Sequence, residues 1–282
     1  MLKTERQDAI VAEVWRRGTV SVADLAARLG VSEITIRRDI DELGALGRLQ
    51  RIRGGARRLM PRDPEPPAVQ RQAECAEEKR AIGLAALGLV HDGDVIAIES
   101  GSTTLELARA IAGRAWRLLQ VVTNSFTVLN ELLRVPGVQV VFAGGAVNAD
   151  EMGTYGALAE ETLKRLNIDR LFLSCRAIDP RTGLSNDLQA GRMVGVERAF
   201  VAASRQVIVL ADHTKFGRVF LMQIVPATDI DIVVTDDLTS PDVLEELSRQ
   251  DTQVVVAPVA GAKVAHLDSA LADNINKPAE SC

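Results

Sequence analysis

Long apolar runs are missing from this chain of 282 residues: none approaches the roughly 18 to 20 residues needed to cross a bilayer. The opening residues, M-L-K-T-E-R-Q-D, are charged and carry no apolar segment of the kind a signal peptide needs. Cysteine is scarce as well. Cys75, Cys175 and Cys282 are scattered, odd in number and without metal-ligand spacing. The three histidines, His91, His213 and His266, form no cluster that suggests zinc. These absences predict a cytoplasmic protein in a reducing compartment, with no membrane partner, no metal and no cofactor. No internal repeat is present, which sets solenoid architectures aside.

The length suits two domains, or one large domain with an appendage. A hydrophobic content of 47% with 25% charged residues is that of an ordinary globular protein. The net charge of −5 conceals an asymmetry. Residues 1 to 58 hold twelve Lys or Arg against eight Asp or Glu, a net of +4, and the remainder holds 21 against 30, a net of −9. A basic arm on an acidic body points to nucleic acid. Arg48, Arg51, Arg53, Arg57, Arg58 and Arg62 crowd into fifteen residues of that arm. Alone, such a run is more often a solvated face; its neighbours decide otherwise.

Those neighbours read as a helix-turn-helix. Residues 4 to 17 form an amphipathic helix with Ile10 and Val14 on its apolar stripe, stopped by Gly18. Ser21 is a natural N-cap for a second helix that buries Val22, Leu25, Ala26 and Leu29. Gly30 supplies a left-handed turn residue, and Ser32 caps a third helix. In that helix Ile36, Ile40 and Leu43 face the core, so Arg38 points nearly opposite. Gly47 ends it, and R-L-Q-R-I-R alternates as a strand that turns at Gly54-Gly55. The third helix is expected to enter the major groove of double-stranded DNA, with Ser32, Glu33, Thr35, Arg37 and Arg38 toward bases and phosphates. Arg48, Arg51 and Arg53 on the wing would hold the backbone. The bland alternative is that Arg37–Asp41 and Arg38–Glu42 are ion pairs on an exposed helix face; at about 0.2–0.5 kcal/mol each, they would not stop these arginines from engaging phosphate.

Residues 60 to 68 contain four prolines and read as a semi-rigid linker, placed at 59–75 between a DNA-binding domain at 1–58 and a second domain at 76–260. The second domain alternates helices and strands: helix 77–90, strand 94–99, helix 103–112, strand 118–122, helix 125–134, strand 138–143. It continues with helix 156–166, strand 169–174, helix 189–204, strands 206–211 and 231–235, helix 241–249 and strand 253–257. Apolar runs such as V-I-V-L-A and D-I-V-V-T fit buried parallel strands, so the fold class is an α+β winged module followed by an open α/β sheet. The tail, 261–282, reads as peripheral.

The run V-S-E-I-T-I-R-R-D-I-D-E-L, followed by R-I-R-G-G-A, resembles the N-terminal module of the DeoR family of bacterial transcription regulators. The resemblance extends over nearly the whole chain, because the second domain is similar to the family's effector-sensing domain. That domain resembles in fold the sugar-phosphate isomerases, ribose-5-phosphate isomerase among them, and the coenzyme-A transferases. It implies a DNA-binding regulator, a repressor of carbohydrate catabolism in the expected case, whose effector is a phosphorylated sugar or related metabolite. Arg53 stands where many relatives have histidine.

From the residues themselves, the best ligand loop is Ser100-Gly101-Ser102-Thr103-Thr104, between a strand and a helix start, where backbone N–H groups and hydroxyls suit an anion. Thr123 and Asn124, Gly144 and Gly145, and Asp212 with Lys215 each follow a strand, and ligands of open α/β sheets sit beyond the carboxyl ends of strands. The resemblance assigns effector binding to the same segments. It also exposes departures. Relatives usually show G-A-D-G-I where this chain has Ser174-Cys175-Arg176-Ala177-Ile178, and often a glutamate where it has Met193. Arg176 is expected to add a second anionic contact and so favour a more acidic effector.

Two other readings stay open. An isomerase-like enzyme would need an acid/base set that the chain does not display: Asp179 reads as a turn former before Pro180, and nothing marks Glu99 as a nucleophile. A DNA-binding protein whose second domain is ligand-blind and only dimerises is the other. Homo-oligomerisation, as dimer or tetramer, is expected in either regulatory case.

Overall fold

A computed structural model describes residues 2–45, 48–57, 66–187 and 191–259. Gly47, most of the Pro-rich segment and the tail therefore lie outside the described residues. The N-terminal unit consists of α1 (Lys3–Arg17), β1 (Thr19–Ser21), α2 (Val22–Leu29), α3 (Glu33–Ala45), β2 (Gln50–Ile52) and β3 (Gly55–Arg57). Its local signals work as their chemistry suggests. The Ser21 hydroxyl accepts from Asp24 N at 3.0 Å, Gly30 adopts the left-handed conformation, and the Ser32 hydroxyl accepts from Thr35 N at 3.2 Å.

Ile10, Val14, Leu25, Ile36, Ile40, Leu43 and Leu49 close a separate small core. The three strands form an antiparallel sheet in the order β1-β3-β2, which is the wing. Two adjacent glycines make it possible for different reasons. Gly54 turns the hairpin at φ +84°, and a Cβ on Gly55 would stand 2.0 Å from the Val20 carbonyl oxygen. Arg6 of α1 donates through Nε to buried Asp39 of α3 at 2.5 Å, locking the first helix to the third.

The second unit begins with α4 (Ala68–Arg71) and α5 (Ala76–Leu87), then β4 (Val95–Ile98), α6 (Ser102–Ala112), β5 (Leu119–Thr123), α7 (Phe126–Leu132) and β6 (Val138–Phe142). A hairpin of β7 (Ala146–Asn148) and β8 (Gly153–Tyr155) leads to α8 (Ala157–Leu163) and β9 (Ile168–Ser174). There follow β10 (Ala177–Asp179), β11 (Gly183–Asn186), α9 (Gly191–Ala203), β12 (Ser204–Leu210), β13 (Met222–Val225), β14 (Ile232–Asp236), α10 (Pro241–Ser248) and β15 (Gln253–Ala257). Seven strands make one parallel sheet in the order β15-β14-β12-β9-β4-β5-β6. Apolar clusters cover both faces, one built around Phe172, Ile98 and Ile111, the other around Leu171, Phe200 and Val209. This is the open α/β sheet expected from the apolar runs.

Three features depart from expectation. Residues 66–75 are not spacer: α4 packs on the second unit, with Ala68 N donating to Asp150 O at 2.7 Å. The β7–β8 hairpin and the small antiparallel sheet β10-β11-β13 carry too few residues per strand to leave a periodic trace. Among the described residues no helix is long and apolar enough to cross a membrane.

The strand order matters for function. The chain lays down β4 in the middle, proceeds outward through β5 and β6, and then returns to place β9 on the other side of β4. The crevice between the carboxyl ends of β4 and β9 is thus the switch point of the sheet, where ligands of such folds bind.

Candidate functional site

Two surfaces collect the chemistry. On the N-terminal unit, Ser32, Glu33, Arg37 and Arg38 are exposed along α3, and Thr35 is half-buried with its hydroxyl 2.9 Å from that of Ser32. The alternative ion pairs Arg37–Asp41 and Arg38–Glu42 do not form among the described residues. Arg37 reaches back to Glu33 at 2.9 Å, Asp41 holds Arg51 at 2.9 Å, and Glu42 holds Lys3 at 2.7 Å. Carboxylates in the second half of α3 face its packing partners, so they are spent on α1 and the wing. Arg38 and Arg53 are exposed and make no ion pair among the described residues. Arg48, assigned above to the wing's backbone contacts, donates to Asp8 of α1 at 2.9 Å. Between α3 and the wing lies an open hollow of about 410 Å³, lined by Arg37, Arg51 and Arg53 among others.

The second surface is the crevice at the switch point. There Ser100, at the end of β4, and Arg176, beyond β9, line one small cavity with Arg71, Glu99, Glu151, Ser174, Cys175, Asn186, Met193 and Glu197. Gly101 lets these two strand ends approach, since a Cβ there would stand 2.0 Å from Ser174 Oγ. Arg71 of α4 pairs with Glu151, and Arg176 pairs with Asp187 while its guanidinium carbon lies 4.5 Å from the centre of the Phe220 ring. Asn186 Nδ2 donates to Glu197 Oε1 at 2.9 Å. Arg176, expected to offer its charge to an anion, thus has that charge matched by a carboxylate. Met193, where relatives often carry glutamate, is an apolar wall, and one turn further on Glu197 supplies a carboxylate to the same cavity.

The remaining loop residues support the site from below. Asn124 accepts from Ser100 N at 3.1 Å through Oδ1 and donates to Thr154 O at 3.0 Å, tying the loop to β8. Thr123 Oγ1 donates to Ile98 O at 2.6 Å, and Thr104 Oγ1 donates to Glu99 O at 2.7 Å. Ser102 and Thr103 are buried at the start of α6. Gly144 and Gly145 lead from β6 into the hairpin and do not reach the cavity. Glu99 is buried with the Ser100 hydroxyl donating to its Oε1 at 2.6 Å; burial pushes its carboxyl up to about 8.

Lys215 lies apart from the cavity lining, on a 3-10 turn beyond β12. Its charge acts on buried Asp212, whose carboxyl burial would raise; Lys215, Lys79 and the Thr214 hydroxyl together outweigh burial and hold it below its ordinary value. Lys79, fully buried on α5, is pushed down by burial against the pull of Asp212, and its ammonium donates to Arg71 O. Burial raises Glu74 against the same two lysines. Arg71, Glu74, Lys79, Glu151 and Glu197 were missed by sequence reasoning. Glu197 alone had a signal: it lies one helical turn from Met193, the position at which relatives often carry glutamate. No group of three or more metal-ligating side chains occurs among the described residues.

Comparison with known proteins covers both units. Residues 6–62 match the model of the DeoR-like helix-turn-helix domain, and residues 74–237 that of the DeoR C-terminal sensor domain. The chain is 34% identical over 257 residues to the HTH-type transcriptional regulator YgbI of Escherichia coli K12, covering 91% of this chain and 99% of that protein. It is 31% identical to the L-fucose operon activator of Haemophilus influenzae, over 87% of this chain and 96% of that one. It is 28% identical to the lactose phosphotransferase system repressor of Lactococcus lactis, over 89% and 98%. Among solved structures, ribose 5-phosphate isomerase A of Methanocaldococcus jannaschii aligns at 18% identity over 51% of this chain and 56% of that chain, with a TM-score of 0.38.

Proposed function

The chain belongs to the DeoR family of transcription regulators, and we propose that it represses a carbohydrate-catabolism operon and leaves its operator when it binds a phosphorylated sugar or related anionic metabolite. The observation that carries this reading is the cavity at the switch point, where a Ser/Thr loop opening a helix meets two buried arginines, Arg71 and Arg176. The names of the L-fucose and lactose relatives support a sugar operon; one is an activator and one a repressor. The acidic second unit and basic first unit suit a cytoplasmic protein that presents one face to DNA. Symmetric association would let two α3 helices address paired half-sites.

The cavity measures only about 20 Å³, room for one water molecule and not for a sugar phosphate. An effector would therefore part the ion pairs that Arg71 and Arg176 make at its wall. Its anionic group would exchange with Glu151 for Arg71, and with Asp187 for Arg176. Arg71 sits on α4, just after the segment that joins the units, so its displacement pulls on the connection to the DNA-binding module. Couplings of this kind are typically about 1–3 kcal/mol, roughly a 5- to 150-fold change in affinity. The carboxylates that line the cavity among the described residues, Glu151, Glu197 and Glu99, hold arginine, asparagine and serine partners.

The test is a titration of the full chain, bound to a duplex that it selects from a random library, with a panel of phosphorylated sugars and sugar acids. Loss of affinity within that range, abolished by Arg71→Met without loss of basal DNA binding, is the expected result. The small cavity also favours a second reading, a ligand-blind dimerisation unit, and no response to any metabolite would select it.

A further inference from the structure

Ile34 is 75% exposed, in the first turn of α3. Ile36, Ile40 and Leu43 of the same helix are buried in the core of the N-terminal unit. At about 100° per residue, position 34 points some 160° away from position 36, and position 38 shares its outward face one turn on. That face carries Ile34 and Arg38, an aliphatic group beside a cation without an ion pair among the described residues.

Nothing in the fold requires isoleucine here. It fills no part of the core, and its β-branch is a mild handicap in a helix. Single exposed apolar residues are ordinary on protein surfaces. Ile34 differs in its place, because the N-terminal residues of a recognition helix meet base edges in the major groove. An aliphatic side chain has little to read there. Among the four bases only thymine presents a methyl group in that groove. Thr35, the adjacent side chain with a methyl of its own, is half-buried and its hydroxyl is engaged by Ser32.

We infer that Ile34 is a specificity-determining residue that reads the C5-methyl of a thymine in the DNA site. The inference rests on α3 lying in the major groove. Contact with that methyl removes apolar surface of both partners from water and rejects cytosine, which lacks it. Arg38, on the same face one turn on, then supplies hydrogen bonds to a neighbouring group.

The probe is a duplex selected from a random library by the full chain, in which each thymine is replaced in turn by uracil. Uracil lacks only the methyl group. At one thymine the replacement is expected to weaken binding about fourfold, the burial of one methyl. In Ile34→Ala protein the same replacement leaves binding unchanged, and in Ile34→Val, which keeps an aliphatic contact, the penalty remains. Because the side chain is exposed, both variants should unfold at the temperature of the parent, which circular dichroism checks. The inference is overturned if no thymine shows a penalty, or if the penalty persists in full in Ile34→Ala. Should the selection enrich no sequence, sequence-specific binding itself fails and takes the inference with it.

Discussion

Glu99 shows how burial can dominate the chemistry of one side chain. Its carboxyl, ordinarily near 4.5, is pushed up to about 8 by burial, against the hydrogen bond from Ser100. A carboxyl raised in the folded state binds its proton more tightly there than in the unfolded chain. Its contribution to stability is therefore complete below pH 4.5 and is lost as the pH rises through 8. Glu99→Gln, which keeps an acceptor for the Ser100 hydroxyl, is expected to match the parent in urea unfolding at pH 4. At pH 9 it should exceed the parent by on the order of a few kcal/mol. Equal stabilities at pH 9 would contradict a buried, proton-holding Glu99.

Arginines at this scale divide by partner. Arg38 is exposed and without an ion pair among the described residues, whereas Arg48 is held by Asp8. Arg38→Ala should reduce the slope of log affinity against log salt by about 1, as loss of one phosphate contact does. Arg48→Ala should leave that slope unchanged.

The wing depends on one close approach between strands. Adding a Cβ to Gly55 would place it 2.0 Å from the Val20 carbonyl oxygen, so β1 and β3 must separate to admit it. Gly55→Ala is expected to cost about 1–3 kcal/mol, as overpacking does, and to weaken DNA binding together with the thermal midpoint of the N-terminal unit. The T-I-R-R-D run can be read at the same scale. Thr35 belongs to the cap, Ile36 to the core, and Asp39 to the lock on Arg6. Part of the motif's apparent DNA signature is thus helix-packing chemistry. The cap and the core were legible from spacing. The lock was not, because Arg6 and Asp39 lie 33 residues apart and meet only when α1 crosses α3.

As a whole, the molecule joins a basic unit with its own core to an acidic unit built on a seven-stranded sheet. Since the first core is separate, a fragment of residues 1–65 is expected to fold and to bind DNA in a salt-dependent manner. It should lose every response to metabolites that the full chain shows, as read by fluorescence anisotropy. Retained sensitivity in the fragment would move the effector site out of the α/β unit.

The sequence by itself determined the helix-turn-helix, the order along the chain of the seven strands of the large sheet and the helices between them. Caps such as Ser21 and Ser32, the left-handed Gly30 and the apolar periodicities all act within a few residues, so they are written locally. Only the tertiary structure decided that β9 returns beside β4, and so that Ser100 and Arg176 share a cavity. It also decided what fills that cavity. Arg71 and Glu151 are 80 residues apart, and a charge leaves no periodic trace of a partner it meets only across the fold.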